Sequence, residues 1–199
     1  MKDIYYEEDE SRFVKIITGG LLAFVATFAI MLLIIVGIFM STYNNLVSLQ
    51  GDVSLAETNL ETMIQERLEI VPNFVSIVEE YTEHEEQIYK DITSAREELS
   101  ESLKDGELSK ISNANENLTI KLNNLIALVE NNLPELKSSS QYINLMEQLE
   151  NSVNRISVAG EKYNESVSIY NREITHIPGS ILASIFGFVE EEVFKPLVS

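Results

Sequence analysis

The sequence contains no cysteine and no tryptophan, and only two histidines, four prolines and eight glycines among 199 residues. The missing cysteine excludes disulfides, thiolate zinc sites, iron–sulfur clusters and thiol catalysis. Scarce proline and glycine, in a chain with periodic apolar residues, argue for long helices rather than a sandwich or barrel. Basic residues are also few, 14 Lys+Arg against 32 Asp+Glu. Beyond Met40 the chain holds 11 basic and 27 acidic residues, a net charge of −16. Such a domain repels phosphate backbones and anionic headgroups, so nucleic acid is not an expected partner. A cationic protein, a peptide or divalent cations would be favoured, or the charge serves solubility alone.

Charge is entirely missing from one stretch. Residues Ile16 to Met40 form 25 consecutive uncharged positions, enough helix to reach roughly 37 Å across a hydrocarbon core of about 30 Å. A secretory signal has a shorter apolar region and a small-residue cleavage site. Phe39-Met40-Ser41-Thr42 supplies no such site, so the segment reads as an uncleaved transmembrane anchor at 16–40 behind a short acidic tail, 1–15. Lys2, Arg12 and Lys15 precede the anchor, and the next basic residue is Arg67. That asymmetry predicts a cytoplasmic N-terminus and an extracytoplasmic domain in a single-pass protein. With fifteen residues ahead of the anchor, no cytoplasmic output domain is expected. Gly19, Ala23 and Thr27 offer one small-residue face for helix packing, a spacing also common by chance.

From residue 41 to 195 the pattern predicts a helical bundle. Leu46, Leu49, Val53, Ala56, Leu60 and Met63 recur at steps of three and four, with Glu57, Glu61 and Glu66 on other faces. The stripe passes Ile70, Phe74, Ile77 and Tyr81 to Ile88, then shifts phase to Ile92, Ala95, Leu99 and Leu103. One helix is therefore expected from about Ser11, through the anchor, over 41–104, kinked or split near Leu68–Pro72 by the proline. Further helices are expected at 108–131 after Gly106, at 139–176 after Pro134, and at 180–194 after Pro178-Gly179. Short connections make successive helices antiparallel neighbours, so the fold class is all-α, an up-and-down four-helix bundle continuous with the anchor. Heptad-like stripes also permit a coiled coil between chains. The apolar tail, with Ile181, Leu182, Ile185 and Phe186, either closes the bundle or lies on a membrane or partner. Few basic residues accompany it, which favours closure.

The order of landmarks resembles the LemA family of bacterial single-pass membrane proteins. They are Tyr43-Asn44-Asn45-Leu46-Val47, Arg67 with Pro72-Asn73-Phe74-Val75, Tyr81-x-x-His84-Glu85, Ala95-Arg96 and Leu133-Pro134-Glu135-Leu136-Lys137. Then come Leu145-x-x-x-Leu149-Glu150, Asn154-Arg155-Ile156, Tyr163-Asn164 and Val167-x-x-Tyr170-Asn171, and finally Phe186-Gly187-Phe188. The resemblance spans about residues 41–190 and the anchor. Leu133 stands where the family usually has tyrosine, and Gly160 follows Ala159 where an arginine is usual. The resemblance implies a four-helix bundle in accessory membrane proteins without a settled activity. The matching positions Tyr43, Asn44, Arg67, Pro72, Arg96, Pro134, Arg155, Tyr163, Asn164, Tyr170 and Asn171 are read as structural.

Chemistry is sparse. A carboxylate-bridged di-metal bundle needs two Glu-x-x-His pairs. Glu173 and His176 make one, but Tyr81 stands three residues before His84. No zincin motif, Gly-x-Ser-x-Gly elbow, phosphate loop or dinucleotide fingerprint is present. No catalytic, metal or cofactor residue is expected. Arg67 falls on the apolar stripe and Arg155 precedes stripe residue Ile156. Each either pairs with a carboxylate, caps carbonyls freed by Pro72, or packs its stem and snorkels. The tyrosines of the Tyr-Asn pairs read as core rather than ligand-binding. The expected function is a non-enzymatic, membrane-anchored scaffold or adaptor that binds a protein partner or itself. The alternative is a ligand-binding sensor that transmits a shift into the anchor.

Overall fold

The computed structural model describes residues 3–82 and 85–195, with side chains described from residue 17 onward. Six helices follow in order: α1 Asp3–Glu79, α2 Glu86–Asp105, α3 Leu108–Asn132, the short α4 Pro134–Lys137, α5 Ser140–Thr175 and α6 Gly179–Phe186. No strand occurs among the described residues. The main layer is α1 packed along α5, and α2 pairs with α3 as a hairpin. The four long helices alternate in direction, which gives the up-and-down bundle, and the helical part of the tail already begins at Asp3.

α1 differs from the expected long helix in where it stops. It passes through Pro72 and ends at Glu79, and the chain turns back before α2. The physical cause is visible in residues 79–86. The buried stripe lapses between Val78 and Ile92, and Glu79, Glu80, Glu83, Glu85 and Glu86 crowd into eight positions. A carboxylate is favourable at a helix N-terminus, and the break places Glu86 in the first turn of α2. It also leaves Glu79 at the unfavourable C-terminal end of α1, so the lapse of the buried stripe, not the charge, accounts for the break. The Thr82 and Tyr89 hydroxyls bond across the turn. Glu83 and His84 lie outside the described residues, including the His84 of the family pattern and of the failed metal motif.

Pro72 is tolerated because another residue does the work of its missing N–H. Within a helix that N–H would bond the Leu68 carbonyl. Instead Arg96 of α2 donates its Nε–H to the Leu68 oxygen at 2.9 Å. The arginine that caps the freed carbonyl is therefore Arg96, neither Arg67 nor Arg155. This ties α2 to α1 one turn below the proline.

Other breaks follow their chemistry. Gly106 closes α2 in the left-handed conformation, φ 71°, with its N–H on Ser102. Pro134 opens α4, whose Leu136 is buried. The Ser139 hydroxyl caps α5 by accepting the Tyr142 N–H. Gly179 approaches α5 so closely that a Cβ there would lie 2.1 Å from the Glu173 carbonyl oxygen. The last helix is shorter than the expected 180–194. It ends at Gly187, φ 79°, and residues 188–195 continue as a strap without helix or strand. Three consecutive acids, Glu190–Glu192, would have occupied the C-terminal end of a longer helix, where they are disfavoured.

Candidate functional site: a buried arginine, a clasped tail and an open groove

On α1, Leu46, Val53, Leu60, Arg67 and Phe74 form one buried heptad line, beside a second of Ile64, Val71 and Val78. Arg67 thus lies in the middle of a core line, 2% exposed. Its Nη1 donates to Asn115 Oδ1 at 2.7 Å and to Thr119 Oγ1 at 3.0 Å, both on α3. The Thr119 hydroxyl in turn donates to the Asn115 carbonyl. Among the described residues no carboxylate partners it, contrary to the carboxylate pairing the sequence suggests, and Arg67 Nε and Asn115 Nδ2 have no hydrogen-bond partner. Burial lowers the guanidinium pKa to about 10, a desolvation cost of about 3 kcal/mol at neutral pH. Arg155 behaves differently: it pairs with Glu66 at 2.7 Å with both side chains about half exposed, a contact worth at most about 1 kcal/mol.

The Tyr-Asn pairs hold the tail. Asn171 bonds both backbone groups of Glu191, donating to its carbonyl at 2.8 Å and accepting its N–H at 2.9 Å. Asn164 does the same to Phe194, at 2.8 and 2.7 Å. Seven helical residues advance about 10.5 Å, and three extended residues cover about 10 Å. The two asparagines therefore match an extended strap running antiparallel to α5. Tyr163 adds a bond from its hydroxyl to the Glu192 carbonyl at 2.9 Å, and the Lys195 N–H reaches the Ser112 hydroxyl of α3 at 3.3 Å. The Phe194 ring packs on Gly160, where a Cβ would lie 2.7 Å from Cδ1. The ring thus occupies the space in which the usual arginine of that position would begin. Burial, then Glu57, Glu191 and Glu192, push the Tyr163 hydroxyl up to about 12. Burial first, then Glu61 and Glu191, raises the Glu57 carboxyl above its ordinary value.

The remaining pattern positions are dispersed. The Tyr43 ring lies 4.8 Å from Phe186, tilted, and 6.0 Å from Phe188, edge-on, while Asn44 is exposed. Tyr170 is fully buried, its hydroxyl without a hydrogen-bond partner among the described residues. Sequence reasoning placed these tyrosines in the core but missed what their asparagine neighbours bind. The available signal was the seven-residue repeat of Tyr-Asn beside an acidic, glycine-broken tail.

Another heptad line of α1, Leu49, Ala56, Met63 and Ile70, is only partly buried. At its Met63–Ile70 end, between α1 and α5, lies an open groove of about 690 Å³ lined by Asn59, Met63, Ile70, Asn151, Arg155 and Val158, among others. A second hollow of about 390 Å³ adjoins Gln148 and includes Asn73 and Asn144. Among the described residues no group of three or more His, Cys, Asp or Glu side chains is placed to hold a metal ion. His176 is exposed, with Nδ1 2.7 Å from the Arg172 carbonyl oxygen.

One helix among the described residues is long and apolar enough to cross a membrane, Ile17–Glu79, with a window of mean hydropathy 3.0 that no other part of the structure covers. Magnetosome proteins MamQ 2 and MamQ 1 of Paramagnetospirillum magneticum are each 28% identical over 176 residues, covering 77% of this chain. Magnetosome protein MamQ of Magnetospirillum gryphiswaldense is 27% identical over 175 residues, covering 76%. The chain spans 64% of the length of each relative. The apolar helix and these relatives make this a membrane-associated protein. The LemA family model matches residues 56–197, which takes in α2 to α6, the strap and most of the bundle portion of α1. The chain belongs to the LemA family.

Proposed function

We propose that the chain is a single-pass, membrane-anchored and non-enzymatic scaffold that presents its α1–α5 groove to a helix of a protein partner or of a second copy. The observation that carries this reading is the groove itself, open between α1 and α5, with the half-buried Met63 and Ile70, one heptad apart, in its lining. Apolar residues at that spacing receive the knobs of another helix. Val158, 52% exposed on one wall, supplies apolar contact. The relatives are named for a cell structure rather than a reaction, which agrees with an architectural role. The basic flank Lys2, Arg12 and Lys15 favours a cytoplasmic N-terminus, with the bundle on the far side. The sensor reading draws on one feature, the helix shared by groove and span, and would require a small ligand in the groove.

A photoreactive side chain at Val158, in the full chain in its native membrane, is expected to crosslink to a discrete protein or to a second copy. The same probe at Thr93, exposed on α2, is expected to give no such product. Equal labelling from both positions, or none from Val158, would count against the scaffold. A monomeric chain co-purifying with a small molecule, released on Val158→Trp, would favour the sensor.

A further inference from the structure

The bundle reaches down into the apolar run of α1. Residues Ile17 to Ile38 are all exposed, and Phe39 is the first to pack against the core. Those 22 uncovered residues make about 33 Å of helix, close to the ~30 Å of a hydrocarbon core. A bilayer around this segment therefore ends at the base of the bundle. One turn above Phe39 stands Tyr43, with the Phe186 ring 4.8 Å away. α6 thus sits where the helix leaves the bilayer.

The composition of α6 fits that level. Residues 177–189 contain no charged side chain. Leu182 and Ala183 turn into the bundle, while Ile177, Ile181, Ile185, Phe186 and Val189 are exposed, Ile185 at 66% and Ile177 at 82%. A contiguous exposed apolar patch marks a membrane or protein contact, and this one is continuous with the span. We propose that α6 and its flanks are a second membrane contact, seated among the upper acyl chains of the leaflet from which α1 emerges. This rests on α1 being the membrane anchor. The charged neighbours are Arg172 and Lys195 against Glu173, Glu190, Glu191 and Glu192. The contact is accordingly apolar and independent of anionic lipid, unlike a basic interfacial helix. Two attachments, one spanning and one lying on the surface, fix the rotation of the bundle about the α1 axis.

The natural absence of cysteine allows single-site labelling of the full chain in phosphatidylcholine vesicles. A polarity-sensitive fluorophore goes on Ile185→Cys, Phe28→Cys or Leu55→Cys, with nitroxides on shallow or deep acyl positions of the lipid. The label at 185 is expected to be blue-shifted and quenched by shallow nitroxides as strongly as the label at 28 is by deep ones. The label at 55 should not be quenched, and adding anionic lipid should change nothing. Quenching at 28 without quenching at 185 overturns the second contact and leaves the anchor intact. No quenching at 28 overturns the anchor reading, and the inference with it. A blue-shifted label at 185 that lipid nitroxides do not quench, and that reddens on dilution, would assign the face to a second copy and overturn the proposal.

Discussion

Asn115→Leu is expected to destabilise the bundle far more than Arg67→Met, although each removes one end of the same 2.7 Å hydrogen bond. Asn115→Leu leaves a guanidinium 2% exposed with only the Thr119 hydroxyl to answer it. Stranding a buried charge in this way costs about 3–5 kcal/mol. Arg67→Met strands only a neutral group, Asn115 Oδ1, since the Thr119 hydroxyl keeps its bond to the Asn115 carbonyl, at about 1–3 kcal/mol. It also recovers the desolvation cost that holds the arginine pKa near 10. The two terms nearly cancel. The double variant Arg67→Met/Asn115→Leu removes both partners, so it should unfold near the wild-type midpoint, a non-additivity of several kcal/mol. Denaturation of the full chain in nanodiscs, followed by circular dichroism, reads all four species. An Arg67→Met variant as damaged as Asn115→Leu would contradict this ranking and mean that the arginine stabilises the fold on balance.

Phe194→Ala is expected to release the strap while the four long helices stay folded. The ring is 1% exposed, and truncating a buried phenylalanine costs about 3–5 kcal/mol. Holding eight strap residues in one conformation costs about 1–2 kcal/mol each, so little margin remains once the ring is gone. The Glu191 and Phe194 amides, which donate to Asn171 and Asn164, should then exchange about a hundredfold faster or more, with α5 protection unchanged. Gly160→Ala should do the same from the other side, because its Cβ would meet the ring at 2.7 Å and the asparagine clasp prevents the strap from sliding. Hydrogen exchange with peptide resolution checks both variants. Unchanged strap protection, or loss of protection throughout the bundle, would contradict the clasp.

These two sites show where the sequence is legible and where it is not. The apolar stripes place the helices and the core, because a buried face imposes the same period wherever it occurs. The stripe does not mark the break after Glu79: the phase shift between Ile88 and Ile92 falls inside α2, and a pattern running on past Tyr81 reads as one helix over 41–104. Proline attracts attention as a breaker, yet Pro72 breaks nothing, because Arg96, 28 residues farther along the chain from Leu68, supplies the missing donor. Such compensation is a tertiary fact with no local signature. The same holds for Arg67. Its position on a core line is legible, whereas its neutral partners Asn115 and Thr119 belong to another helix and look like surface residues in one dimension. The strap is hardest to foresee. A helix would keep residues 188–195 apolar on one face, and Phe188, Val189, Val193 and Phe194 nearly do. The left-handed Gly187 and the pull of Asn164 and Asn171 decide otherwise.

The open groove and the surface helix gain their meaning from one feature, the uninterrupted α1. A scaffold that hung from a flexible linker would present its groove at every angle. A helix without a break from Ile17 to Glu79, 63 residues, holds it at one angle. Spin labels placed singly from Ile38 to Gln50, in the full chain in nanodiscs, measure this directly. Mobility and oxygen accessibility should oscillate with a period near 3.6 residues across the whole window, with the bundle-facing minima at Phe39, Tyr43 and Leu46. A run of fast, unmodulated motion between Met40 and Leu46 would mean that the anchor and the bundle are joined by a hinge, and the account of a fixed membrane-mounted groove would fail.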